Sequence, residues 1–159
     1  MTDSISANSL SGINSDGTLK KFDCPTPTTK AAIAASKGDE AQLSKLQAAE
    51  LIAPDETRNT PLIWSADAGK TKAVQYILSV VEREDPKSVN TKGFLGNTAL
   101  SRAARGGHLG CVSAILQASE VNPNIHNEKK QYPLHFAAYK RHPEIVKVML
   151  DSNKCFISM

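Results

Sequence analysis

Aromatic residues are scarce: four Phe, three Tyr and one Trp make up 5% of the 159 residues. A core built from this chain is therefore aliphatic and lined by alanine, not organised around large rings. Cysteine is sparse as well. Cys24, Cys111 and Cys155 form an odd set with no CxxC pair and no histidine at zinc-ligand spacing. That excludes a disulfide scaffold and favours a reducing, intracellular compartment, cytoplasmic and/or nuclear. No apolar run approaches the ~18 residues of a membrane span, so no membrane partner is expected. The opening MTDSISANSL has neither the basic stretch nor the apolar stretch of a secretory signal, and Asp3, Asp16 and Asp23 do not suit an acid-poor transit peptide. An excess of one charge is missing too. Nineteen Lys+Arg stand against sixteen Asp+Glu, net +3, too mild to point to nucleic acid. The length suits one domain.

None of GxSxG, HExxH, GxxxxGKS or GxGxxG occurs. His126 and His142 read as loop residues with no companion at metal spacing, and Gly106-Gly107 reads as a helix terminus, not a phosphate loop. No nucleophile–base pair stands out. The expectation is a non-catalytic protein with no catalytic, cofactor-binding or metal-binding residues.

Residues 1–27 are rich in Ser, Thr, Asn and Gly with no apolar period, and read as a disordered tail. From residue 28 the chain repeats itself. TKAAIAASKGDEAQLSKLQ from Thr29, TPLIWSADAGKTKAVQYIL from Thr60, TALSRAARGGHLGCVSAIL from Thr98 and YPLHFAAYKRHPEIVKVML from Tyr132 align without a gap, their starts 31, 38 and 34 residues apart. A period near 33 with a T-P-L-H-x-A core resembles the ankyrin repeat family over about Thr28–Asp151. The resemblance implies an all-α solenoid of four helix-turn-helix repeats, eight helices in antiparallel pairs, with β-turn finger loops. The repeats fall near 29–58, 59–96, 97–130 and 131–153 within a domain at 28–159.

Each repeated slot has a physical reading. Thr60 caps a helix whose first residue is Pro61, where the missing N–H costs nothing, and Pro133 does the same later. Small pairs such as Ala103-Ala104 let helices approach closely. Gly38, Gly69 and Gly107 end the first helices in a position that favours a left-handed conformation. Arg141 stands there in the fourth repeat, which predicts strain or a different turn. The 38-residue spacing predicts a second helix running to Glu82 or Arg83, followed by a loop broken by Pro86. Asn90 and Asn122 are expected to bind finger backbone. The fifth residue of each segment, Ile33, Trp64, Arg102 and Phe136, should point into the stack, with the Arg102 guanidinium between two rings and its head at the edge.

The first repeat is polar, as an end cap should be, whereas the helix PEIVKVMLD of the fourth looks internal. Either Phe156 and Ile157 fold back over it, or the face is a contact surface for self-association, or the chain is a shortened form of a longer protein.

The family resemblance implies protein binding, as adaptor, inhibitor or assembly factor, through finger tips and the concave side of the first helices. Carried over by position, the partner-binding set is Asp67, Phe94, Leu95, Asn97, Arg105, Lys129, Lys130, Gln131, Tyr139 and Lys140, with Asn59 at the first finger. Phe94 and Leu95 either tuck under the finger or stand out as anchors. Residues 98–159 hold eight basic and four acidic residues, so a partner with an acidic patch is favoured over nucleic acid. The alternatives are a self-associating structural protein and a regulatory protein switched by phosphorylation of its tail.

Overall fold

The computed structural model describes residues 25–154. The tail readings before residue 25, and the reading of Phe156 and Ile157 as a cover, lie outside the described residues. Within them the chain is all helical, with no strand. Nine α-helices follow in order: α1 Lys30–Lys37, α2 Glu40–Leu43, α3 Ala48–Ile52, α4 Pro61–Asp67, α5 Thr71–Glu84, α6 Ala99–Gly106, α7 Leu109–Leu116, α8 Pro133–Tyr139 and α9 Pro143–Asp151. Two 3-10 turns, Pro86–Asn90 and Phe94–Gly96, lie between α5 and α6.

The same local chemistry starts each first helix. Thr29, Thr60 and Thr98 accept from the N–H three residues on, at 3.1, 3.3 and 3.2 Å. Tyr132 lacks a capping hydroxyl at that reach. There His135 Nδ1 accepts from the Tyr132 N–H at 3.0 Å instead. The same turn also ends each first helix. Gly38, Gly69 and Gly107 have φ of 71°, 72° and 76°, and Arg141 takes the same left-handed shape at 62°. The next N–H then bonds back to Ala34, Ser65, Ala103 or Ala137 at 2.8–3.0 Å. Arg141 is therefore strained into the shared turn; it does not make a different one.

First helices stack in one layer, α1 on α4, α4 on α6 and α6 on α8; second helices α5, α7 and α9 stack in another. Alanine and serine at the first-layer crossings, including Ala35, Ser65, Ala66, Ala103, Ala104 and Ala137, are fully buried. Leu43, Val74, Ile77, Val112, Ile115, Ile145 and Met149 fill the space between the layers. The architecture is an all-α repeat solenoid.

Three features depart from expectation. The second half of the first pair is split into α2 and α3, so nine helices replace eight. Ser44 Oγ bonds back to Ala41 O at 2.9 Å where α2 stops, and only Leu43 and Leu51 of this polar stretch are buried. The insertion lengthens α5 to Glu84, and Pro86 opens a 3-10 turn where a loop was expected. The longer helix buries Val80 and Val81 and lets both Glu82 carboxylate oxygens accept from Ser119, at 2.8 Å from N–H and 2.7 Å from Oγ. Ile33 is 38% exposed rather than in the core, because among the described residues α1 is the outermost first helix and no helix packs on its far side.

Candidate functional site

Three finger loops project beside the first helices, and all are built alike. Asp55, Gly93 and Asn127 each donate N–H to the carbonyl four residues on, Asn59, Asn97 and Gln131, at 2.8–2.9 Å. Arg58, Gly96 and Lys130 take the left-handed position, at φ 70°, 77° and 63°. The first residue stiffens the turn when it has an oxygen. Asp55 Oδ1 accepts from the N–H of Thr57 and Asn59, and Asn127 Oδ1 from the N–H of Lys129 and Gln131. Gly93 has none, and the neighbouring finger supplies it: Asn59 Oδ1 accepts from Phe94 N–H at 2.8 Å. A Cβ on Gly93 would sit 2.2 Å from that oxygen, so only glycine admits the contact.

This geometry corrects several assigned roles. Asn59 and Asn97 are 1% and 4% exposed. They do not face a partner; their amides join finger to finger. Asn97 Oδ1 accepts from Asn127 Nδ2 at 3.1 Å, and Gln131 Oε1 accepts from the same amide at 3.0 Å, so half-buried Gln131 is committed as well. Phe94 and Leu95 are both half-buried, and the Leu95 carbonyl accepts from Glu128 N–H at 3.1 Å. Asn90 and Asn122 bind backbone of the link that leads into the third finger, as expected. Asn90 Nδ2 donates to Glu120 O and its Oδ1 accepts from Asn122 N–H, both at 2.7 Å, and Asn122 Oδ1 accepts from Asn124 N–H at 2.9 Å.

The first-helix side is divided between structure and surface. Asp67 Oδ1 lies 3.5 Å from the guanidinium of Arg102, whose side chain is buried to 5% exposure, and the Asp67 carbonyl meets His108 Nε2 at 3.2 Å. Asp67 therefore holds the stack together. The Arg102 head is buried with its stem; it does not reach the edge. Trp64 and Phe136 are buried at 7% and 8% exposure. Trp64 also donates its Nε1–H to Asp55 Oδ2 at 2.8 Å, a buried carboxylate that sequence reasoning missed. The one signal for it is position: Asp55 stands five residues before a capping threonine, as Asn127 stands five before Tyr132.

What stays open includes cations and an aromatic ring, beside the exposed acids Glu56 and Glu128. Tyr139 is 76% exposed, with Lys140 Nζ 5.7 Å from its ring centroid. Lys129, Lys130 and Lys140 are exposed and Arg105 half-buried. Among the described residues none of these four cations is in an ion pair; the surface pair Arg58–Glu128, at 3.1 Å, involves neither them nor Tyr139. Gly106 beside Arg105 must lack a side chain, because a Cβ there would stand 2.5 Å from the His108 ring.

His108 and His142 rings lie over Gly69 and Gly107. His126 and His135 make edge contacts to Tyr132. Cys111 is fully buried, and burial pushes its thiol up, an effect opposed by its contact with Thr71 Oγ1 at 3.6 Å. Among the described residues, no cluster of three His, Cys, Asp or Glu could hold a metal ion, and no helix is long and apolar enough to cross a membrane.

Comparison with known proteins agrees with the geometry. The model of the family described as ankyrin repeats (3 copies) matches residues 31–126 and 79–158. A putative E3 ubiquitin-protein ligase of Arabidopsis thaliana, XBAT31, is 37% identical over 109 residues, which cover 60% of this chain and 22% of that protein. The ankyrin repeat and KH domain-containing protein mask-1 of Caenorhabditis elegans is 34% identical over 101 residues, 64% of this chain and 4% of that protein. The chain thus spans less than a quarter of these relatives' length. A chain in the crystal structure of the yeast ribosomal protein Rps3 in complex with its chaperone Yar1 superposes with a TM-score of 0.73 at 23% identity, covering 84% of this chain and 100% of that one.

Proposed function

This chain belongs to the ankyrin repeat family, and we propose that it is a non-catalytic protein-binding module, an adaptor, inhibitor or assembly factor. It holds its partner against the fingers and the concave side of the first helices. One observation carries the reading. Arg105, Lys129, Lys130 and Lys140 are unpaired among the described residues and share the finger and first-helix side with the exposed ring of Tyr139. Arg and exposed aromatics are the residue types on which binding energy concentrates. The cations select a partner with an acidic patch and raise its rate of encounter.

Solenoids of this kind present extended concave surfaces for recognition. Yar1, a chaperone in complex with the ribosomal protein Rps3, is one form that such a module takes. The buried, unpaired thiol of Cys111 suits a reducing interior, so an intracellular site, cytoplasmic and/or nuclear, is part of the proposal.

The experiment is affinity capture from lysate with two baits, the intact chain and Arg105→Glu/Lys129→Glu/Lys140→Glu. The three positions carry no ion pair among the described residues, so both baits should melt alike. A protein held by the first and lost from the second supports the reading. Equal recovery by both would place binding elsewhere and refute it.

A further inference from the structure

Each joint between helix pairs is closed by one repeated contact. The residue after the left-handed cap lays its side chain over the cap of the preceding pair: Lys70 over Gly38, His108 over Gly69, His142 over Gly107. A Cβ on those glycines would come within 3.0, 2.6 and 2.6 Å of those side chains. Arg141 occupies the fourth cap with the same positive φ, so its Cβ already fills the place such a ring would take. The end face is thereby shut to a further pair stacked in register with histidine at that step.

The face is nonetheless apolar. A groove of about 600 Å³ runs between α8 and α9, with Ala138, Pro143, Val146 and Leu150 in its wall. Leu150 is 38% exposed. Pro143, Val146 and Leu150 recur at the spacing of one helix face, which no other described helix covers. Charges of both signs line it: Arg141 and Lys147, against Asp151. Among the described residues none of the three is in an ion pair. A partner of one sign would leave part of them unmatched.

We infer that this face takes a second copy of the chain in an isologous two-fold contact. The two α9 helices run antiparallel, Val146 of each copy packs beside Leu150 of the other, and Lys147 of each copy meets Asp151 of the other. A two-fold contact needs a self-complementary patch, and this one is apolar at its centre with both signs at its rim. The helix is only about 14 Å long at 1.5 Å per residue. The contact therefore lies at the small end of dimer interfaces and forms with rising concentration. It is separate from the concave face, so the two readings stand or fall independently.

The test is light scattering on the full chain over a concentration series, with Lys147→Asp, Asp151→Lys and the double exchange. Lys147 and Asp151 are exposed, so circular dichroism should be identical throughout. The expected result is a twofold rise in mass for the parent chain. Each single variant should stay at monomer mass, and the double exchange should recover the dimer. Monomer mass at every concentration would overturn the inference, as when the chain's own last residues or a different protein fill the groove. So would single variants that dimerise unchanged, or masses that grow past two chains.

Discussion

Replacing Trp64 separates two contributions that meet at one side chain. The indole is 7% exposed and donates to Asp55 Oδ2 at 2.8 Å. Phe at this position keeps most of the apolar contact and deletes the donor. A hydrogen bond to a charged acceptor is worth roughly 1.5–3 kcal/mol. The Thr28 N–H, 3.3 Å from the same oxygen, remains to satisfy it in part, so the low end applies. Trp64→Phe should cost about 1.5–2 kcal/mol. Trp64→Ala adds a cavity and should cost about 3–5 kcal/mol. At about 2–4 °C per kcal/mol, Tm falls by about 3–8 °C for Phe and about 6–20 °C for Ala. Asp55→Asn should be costly in its own right, because both carboxylate oxygens accept N–H groups and an amide nitrogen would face a donor. Trp64→Phe and Asp55→Asn share that bond, so their combined loss should fall short of the sum by about 1 kcal/mol. Urea unfolding followed by far-ultraviolet circular dichroism is the assay, since Trp64 is the single tryptophan and its removal abolishes the fluorescence signal. A Trp64→Ala loss below about 1 kcal/mol, or strict additivity in the double variant, refutes the reasoning.

Arg141→Gly should raise stability by about 0.5–1 kcal/mol, because the left-handed penalty of roughly 1–2 kcal/mol exceeds what glycine gives up in the unfolded chain; an unchanged or lower Tm would count against strain there. Gly107→Ala should do the reverse and lower Tm, since its Cβ would stand 2.6 Å from the His142 ring in a left-handed turn. Asp67→Ala should cost about 1–3 kcal/mol by leaving the buried Arg102 head without its carboxylate, and urea titration would show it. Cys111 has a raised folded pKa, so its contribution is flat below the unfolded thiol value of about 8.5 and stability is lost as pH rises from there to the folded value. The same melting series on Cys111→Ala should lack that portion of the alkaline decline, and identical pH profiles would exclude the effect.

The repeat itself was legible because its signals are local. Thr60 before Pro61 makes a helix start, and Gly38, Gly69 and Gly107 make helix stops, whatever packs around them. The departure at Arg141 was legible for the same reason. The candidate site was legible only in part. Tyr139, Lys140, Lys129 and Lys130 are exposed, as a partner-facing role requires. Asn59, Asn97 and Gln131 share their register with exposed tips, yet the amides of Asn59 and Asn97 are spent between fingers and that of Gln131 within its own. Nothing within one finger announces that, because the oxygen Gly93 lacks is supplied from a repeat away.

The sequence by itself determined the period, the caps, the apolar faces and hence the all-α stack, since each depends on residues within one helical turn. Only the tertiary structure decided which side chains are committed. Asp67 and Arg105 occupy equivalent positions on consecutive first helices, yet one is drawn to a buried guanidinium and the other, half-buried, is in no ion pair among the described residues. That choice depends on what the next repeat places opposite, a distance of 35 residues in sequence and 3.5 Å in space.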